Sequence, residues 1–530
     1  MSKDSMAQTL NLGTMSFLST GKKSMTRMSS VDPDKLKKAN QIYSSLIAEK
    51  GDYRFTVPKL KLSNEASNVA YIDYESNEIV LETRAFDICE QLGDHFIAFI
   101  LAHELTHYFE KHAWKNEFIS RYSDLKIGVE LKSVDDQIVN ETQADFLGGF
   151  LCYSAGYQLT DQIDTVLKSL YKAYEVPDSV PNYPVLSDRV EMTKRSIANL
   201  KSFIEVFEMA NYLTITGKYK EAMAYYQYIL QRYQSHKIYN NIGLVSILTA
   251  LREFTQKELV FEYPLELENE PIFDRTGETR RDSILKASIR YFDFALGMDP
   301  NYLPAKLNKA IAWTLLGELE KAAYFCEQEI MEVADTAQYA KTLYDAWVLN
   351  GIILAKKGKK DLAKGMFEKA RQNGSQIAAI NLERLKNPQA TSQLSISRAN
   401  TEDMVIQGMS LNKFANEPRY DDERIIQIGA DYTFYQSQFD SLDYKIFFNN
   451  NDVTEIVNYF MVMKPHSTVK TKLNIGNGSS TKDLETAYGK PANRMETSKG
   501  TIWLYDQMFF NVNKEGNVIQ WGSYLSKKLN

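Results

Sequence analysis

The sequence predicts a multidomain protein: a mostly helical α+β domain, then an all-α repeat solenoid, then a small α+β domain duplicated within itself. Three observations carry this reading. Two β-rich runs and the apolar run "FIAFILA" (Phe96 to Ala102) lead into a histidine-rich helix. From about residue 200 the pattern changes to small and aromatic residues recurring at helical spacing. Beyond a polar, Ser/Thr-rich stretch, short aromatic strands alternate with Gly/Asn turns. The boundaries are 1–32 for a flexible tail, 33–199 for the first domain and 200–386 for the repeats, with an insertion near 254–282. A linker at 387–403 and the last domain at 404–530 complete the chain.

Composition narrows the function classes. Hydrophobic residues at 44% and charged residues at 25% are ordinary globular values. A net charge of -6 argues against a nucleic-acid partner, because phosphate recognition needs concentrated basic residues. No apolar run approaches the eighteen or so residues of a transmembrane helix. Cys89, Cys152 and Cys326 are far apart and include no C-x-x-C pair. They read as buried thiols, with a Cys89–Cys152 disulfide as the alternative.

Along the first domain, Asp32 can cap a helix whose first turn holds Pro33. "NVAYIDYESNEIVLETRAF" reads as a hairpin turning at Glu75-Ser76-Asn77. The His103 helix follows, and "VDDQIVNETQADFLGGFLCYSAG" reads as another. In the second domain, Gly217, Tyr219, Ala222 and Tyr226 carry the spacing of a tetratricopeptide repeat. The cleanest copy has Trp347, Gly351, Gly358, Ala363, Phe367 and Ala370, and a third has Gly317, Leu319 and Ala322. One copy is split: Tyr239 and Gly243 precede an acidic insertion read as a long loop, and Ser288, Phe292 and Ala295 follow it. In the last domain, "YKIFFNNNDVTEIV" and "QMFFNVNKEGNVIQW" match as strand, Asn-rich turn and strand. Each follows a short helix, near Leu411–Ala415 and Thr481–Tyr488, which suggests two related halves.

The chemistry concentrates in "AHELTHYFEKH", which holds three of the six histidines. On a helix His103 and His107 share a face, can bind one zinc ion and leave Glu104 within reach of its water. A chain of this composition produces H-E-x-x-H by accident about once in two hundred. A catalytic zinc needs a third ligand and an open position. "ETQAD" offers Glu141 as that ligand and, one turn on, Asp145 to accept the free ring N–H of a histidine ligand.

H-E-L-T-H-Y-F-E-K-H followed by E-T-Q-A-D resembles the zinc metallopeptidases that include HtpX, the CAAX prenyl proteases and the Oma-type proteases. The likeness covers about residues 35 to 198 and includes the strands "NVAYID" and "NEIVL". Joined to repeats without membrane spans, it is similar to the BepA-type periplasmic branch. The resemblance implies a zincin-like peptidase fold of the gluzincin type. His103, His107 and Glu141 would be metal ligands, Glu104 the catalytic base and Asp145 a support outside the ligand shell. His112, the last motif histidine, is expected to hydrogen-bond rather than to bind metal. Where relatives show His-Pro and then Arg, this chain has Tyr183, Pro184 and Arg189. Tyr183 either offers its hydroxyl to the oxyanion or packs beside Pro184. Arg189 either contacts the substrate or oxyanion or pairs with a carboxylate near the site.

The resulting expectation is a zinc-dependent endopeptidase acting on protein or peptide substrates. Its repeats would recruit a protein partner, and a substrate strand would add to the sheet edge near Asn68 to Asp73. The rival is a scaffold or chaperone-like protein with a latent or inactive zincin domain. The resemblance suggests a periplasmic or envelope location if a signal peptide has been removed, and a cytoplasmic one otherwise.

Overall fold

A computed structural model describes residues 15–16, 31–65, 68–112, 137–157, 162–176, 185–255, 258–267, 280–333, 339–388, 405, 410–416, 418, 420–437, 443–497 and 500–528. The chain divides into two units, Met1–Ile204 and Glu205–Asn530.

In the first unit, α1 (Pro33–Lys50) starts where Asp32 accepts a hydrogen bond from the Asp34 amide at 2.9 Å, with Pro33 in the first turn. It ends at Gly51, whose φ of 51° suits a residue without a Cβ. The sheet comprises β1 (Met15–Ser16), β2 (Lys59–Ser63), β3 (Ala70–Asp73) and β4 (Glu78–Glu82), in the order β1-β3-β4-β2. β3 and β4 form the expected hairpin, and Asn77 turns it in the left-handed region at φ 54°. β2 lies parallel to β4, a long-range pairing that local patterning does not reveal. β1 is a correction: two residues of the segment read as a flexible tail form the outer strand, antiparallel to β3.

Helices α2 (Thr83–Leu92) and α3 (Asp94–Phe109) follow the sheet. Every residue of α3 from Phe96 to His107 is buried, as expected for a helix apolar all round. α4 (Gln137–Ser154) packs on it through Gly148, where an added Cβ would lie 2.9 Å from the His103 nitrogen. α5 (Ile163–Ala173) and α6 (Leu186–Ile215) complete the helices here, the division between units falling within α6. Cys89, Cys152 and Cys326 are all buried free thiols, so the alternative Cys89–Cys152 bridge does not form.

The second unit starts with helices, then a sheet. α7 (Tyr219–Leu230), α8 (His236–Leu251), α9 (Arg280–Met298) and α10 (Leu303–Leu315) come first. α11 (Leu319–Tyr324) runs on as a π-helix over Phe325–Met331, and α12 (Ala340–Lys356), α13 (Lys360–Gln372) and α14 (Gln376–Lys386) follow. The split copy rejoins as α8 against α9. A Cβ on Gly243 would sit 2.4 Å from the Phe292 ring, and one on Gly351 would sit 2.5 Å from Phe367. The same glycine-to-phenylalanine contact thus closes both helix pairs.

The insertion is more than a loop. Asn381 on α14 accepts the Glu262 amide and donates to the Glu262 carbonyl, both at 2.8 Å, while β5 (Glu266–Leu267) joins the C-terminal sheet. That sheet also contains β6 (Tyr420–Ile428), β7 (Tyr432–Ser437), β8 (Tyr444–Asn451), β9 (Ile456–Met463), β10 (Asn493–Thr497), β11 (Gly500–Leu504), β12 (Met508–Asn513) and β13 (Val518–Lys528). Its order is β5-β10-β11-β12-β13-β9-β8-β7-β6. Two four-stranded meanders therefore meet edge to edge at β9 and β13. α15 (Leu411–Asn416) precedes one and α16 (Thr481–Tyr488) the other. Phe414, Leu484 and Tyr488 pack with Phe448, Tyr459 and Trp521 in one core. Tyr212 meets the rings of Phe447, Phe460 and Phe509, and Tyr225 donates to Asn449 at 2.6 Å. The linker read at 387–403 lies, after its first two residues, outside the described residues. Among the described residues, no helix is long and apolar enough to cross a membrane.

Candidate metal centre

His103 and His107 lie one turn apart on α3, and Glu141 faces them from α4. All three are buried. Glu141 places Oε2 3.3 Å from His103 Nε2 and Oε1 3.4 Å from His107 Nε2. Tetrahedral zinc with bonds of about 2.0–2.1 Å has ligand-to-ligand edges of about 3.3–3.4 Å, so these spacings fit it. The two Nε2 atoms are 2.9 Å apart and need to open only slightly. Among the described residues this is the one group of His, Cys, Asp and Glu side chains arranged to hold a metal.

The opposite edge of each imidazole fixes which nitrogen is free. His103 donates Nδ1–H to Asp145 Oδ1 at 2.9 Å, which leaves its Nε2 lone pair toward the centre. For His107 the control is a relay. Gln143 donates to Glu110 at 3.3 Å, which turns its carbonyl oxygen toward His112 Nε2 at 3.2 Å. His112 then carries its proton on Nε2 and accepts at Nδ1 from His107 Nδ1, 2.7 Å away. His107 Nε2 is thereby bare as well. His112 hydrogen-bonds to His107 and Gln143 and is not one of the three side chains grouped for a metal.

Asp145 is held from a second side. Arg189, fully buried on α6, donates to both of its oxygens, at 2.9 Å to Oδ1, and Thr193 donates to Oδ2 at 2.8 Å. Arg189 also lies 3.8 Å from Glu141 Oε2. Of its two anticipated roles, the geometry places Arg189 in carboxylate pairing. Tyr183 lies outside the described residues. Gln143, sitting inside the "ETQAD" string, was passed over in the sequence, as were Glu110 and Thr193. Thr193 follows Arg189 by one helical turn, the signal that could have found it.

Electrostatics follow from these contacts. Burial opposes ionising Asp145, but the Arg189 charge and the His103 hydrogen bond outweigh it and hold the carboxyl at about 2. Burial likewise works against Glu141, yet His107 and His103 keep it well below the usual range. Burial alone would disfavour protonated His103; Asp145 and Glu141 prevail and raise it to about 9. Burial dominates at His107, whose value is lowered. Glu104 is fully buried on the same helix. Just beyond β3, burial and then the charge of Glu104 raise the Tyr74 phenol, and Tyr74 stacks on Tyr108. The end of β3 thus meets α3 at the residue after His107. Once a metal displaces the Nε2 proton of His103, two neutral imidazoles and one carboxylate, with their outer hydrogen bonds set, would form a donor group suited to a divalent zinc ion.

No family model matches the chain, and no curated protein matches it. Among solved structures, it is similar to a tetratricopeptide repeat protein from Parabacteroides merdae at 14% identity. That match covers 52% of this chain and 100% of the other, with a TM-score of 0.21. A likeness that slight carries no conclusion about fold or function.

Proposed function

We propose that the chain is a zinc-dependent endopeptidase. The observation that carries this reading is the convergence of His103 Nε2, His107 Nε2 and Glu141 on one buried point, with both imidazole tautomers set from outside. A zinc ion there would supply Lewis-acid polarisation of a scissile carbonyl and would lower the pKa of water to about 7. Glu104 takes the proton of the attacking water and returns it to the leaving amine. Asp145, anchored by Arg189 and Thr193, orients His103, and His112 with Gln143 orients His107. An extended substrate backbone aligns along the β3 edge, a mode that needs no particular side chains.

The helix pairs closed by Gly243 with Phe292 and Gly351 with Phe367 support a tetratricopeptide-type array, which would recruit a protein substrate or partner. The test is metal analysis of the full chain alongside cleavage of an unfolded protein. We expect one zinc per chain and cleavage that a chelator abolishes. His107→Ala and Glu141→Ala should each lose both. Stoichiometric zinc without cleavage would favour the rival, a scaffold with a latent site.

A further inference from the structure

β3 faces two ways along its backbone. One edge pairs with β4, and the other accepts β1, with Met15 opposite Ile72 and Ser16 opposite Tyr71. Among the described residues no other strand lies on that side of β3. This is the edge along which an extended substrate would align, and just beyond its end Tyr74 stacks on Tyr108, the residue after His107 on α3. The pairing is antiparallel and made through the backbone, so a free peptide adding to β3 would need the same hydrogen-bonding groups. The sequence of the occupant suits the role. Residues 5–21 carry no charged side chain and include Leu10, Leu12, Met15, Phe17 and Leu18.

We propose that β1, Met15–Ser16, is an intramolecular occupant of the β3 edge that excludes extended substrates until it is withdrawn. This rests on the peptidase reading for its consequence, but the occupancy itself does not. A tethered strand competes at an effective concentration of about a millimolar. Against a free copy that binds with a Kd of about 10 µM, it weakens apparent binding about 100-fold.

The test compares the full chain with two variants, one lacking residues 1–30 and one carrying Met15→Pro with Ser16→Pro. Proline removes the strand's backbone donors without shortening the chain. Amide exchange at Ala70–Asp73 should be slow in the full chain and clearly faster in both variants. A fluorescent peptide of residues 9–22 should bind both variants about 100-fold more tightly than the full chain. With zinc loaded, both variants should cleave an unfolded protein at least about tenfold faster than the full chain. Equal exchange at β3 in all three proteins overturns the proposal, as does equal peptide binding. Equal cleavage by active full chain and variants overturns the exclusion. If exchange and binding behave as expected while no form cleaves, the occupancy stands and the peptidase reading fails.

Discussion

Gly148→Ala is a one-methyl change that should loosen the metal without touching a ligand. The new Cβ would lie 2.9 Å from the His103 nitrogen, 3.0 Å from the Ala102 carbonyl carbon and 3.1 Å from its oxygen. Carbon contacts are comfortable at about 3.5–4.0 Å, so α4 must retreat from α3 by roughly half an ångström or more. All three obstacles are backbone atoms and cannot rotate aside. Overpacking of this kind costs about 1–3 kcal/mol, against about 1 kcal/mol gained from alanine's better helix propensity. The net change should lie near zero to about 2 kcal/mol of destabilisation. The retreating helix carries Glu141 and Asp145, and ligand distances tolerate only about 0.2 Å. Zinc affinity should therefore fall about 10–100-fold, the usual consequence of disturbing the shell behind a ligand. Gly365→Ala is the control, because α13 has open space there and the same change should stabilise by about 1 kcal/mol. Chelator competition and denaturant unfolding, with and without zinc, measure both quantities. Stabilisation equal to that of Gly365→Ala with unchanged zinc affinity would refute the close approach.

Other consequences follow from the groups around Asp145 and His112. Asp145→Asn leaves the buried Arg189 guanidinium with only its longer 3.8 Å contact to Glu141, which should cost up to about 3–5 kcal/mol of stability; adding Arg189→Met should recover part of this in urea unfolding. Gln143→Leu should release the His112 tautomer and weaken zinc binding up to about tenfold with little change in melting temperature. In metal-free protein, His103 stands at about 9 rather than 6.5, so its contribution to stability is fully present below 6.5 and is lost as pH rises through 9. Denaturation in chelator should show that decline, whereas the zinc-loaded protein, whose His103 is already neutral, should not. A flat metal-free profile over this window would count against the His103–Asp145 bond.

The juxtaposed side chains were legible where they share a helix. His103 with His107, and Glu141 with Asp145, are four residues apart, and that spacing alone puts each pair on one face. The glycine and aromatic positions of the repeats were legible from the repeat spacing instead, and Gly351 on α12 meets Phe367 on α13 as Gly243 on α8 meets Phe292 on α9. What local spacing leaves out is the partner from elsewhere in the chain. Asparagine is nearly isosteric with aspartate, so sequence alone suggests that Asp145→Asn keeps its packing. The buried Arg189 beneath Asp145 reverses that expectation. Gly148 carries no sign in the sequence that α3 backbone lies against it. The parallel pairing of β2 with β4 and the antiparallel pairing of Met15–Ser16 with β3 join segments far apart in the chain, and neither has a turn that would announce it.

The central claim is that this buried group holds zinc for peptide hydrolysis with Glu104 as the proton carrier. Glu104→Gln in the full chain tests it most directly, since the amide keeps the shape of the side chain and cannot accept a proton. The variant should bind as much zinc as the unaltered protein and unfold at the same temperature. Its cleavage of an unfolded protein should fall by about 10²–10⁴-fold, the usual contribution of a general base. Near-normal turnover by a zinc-loaded Glu104→Gln protein would contradict the account.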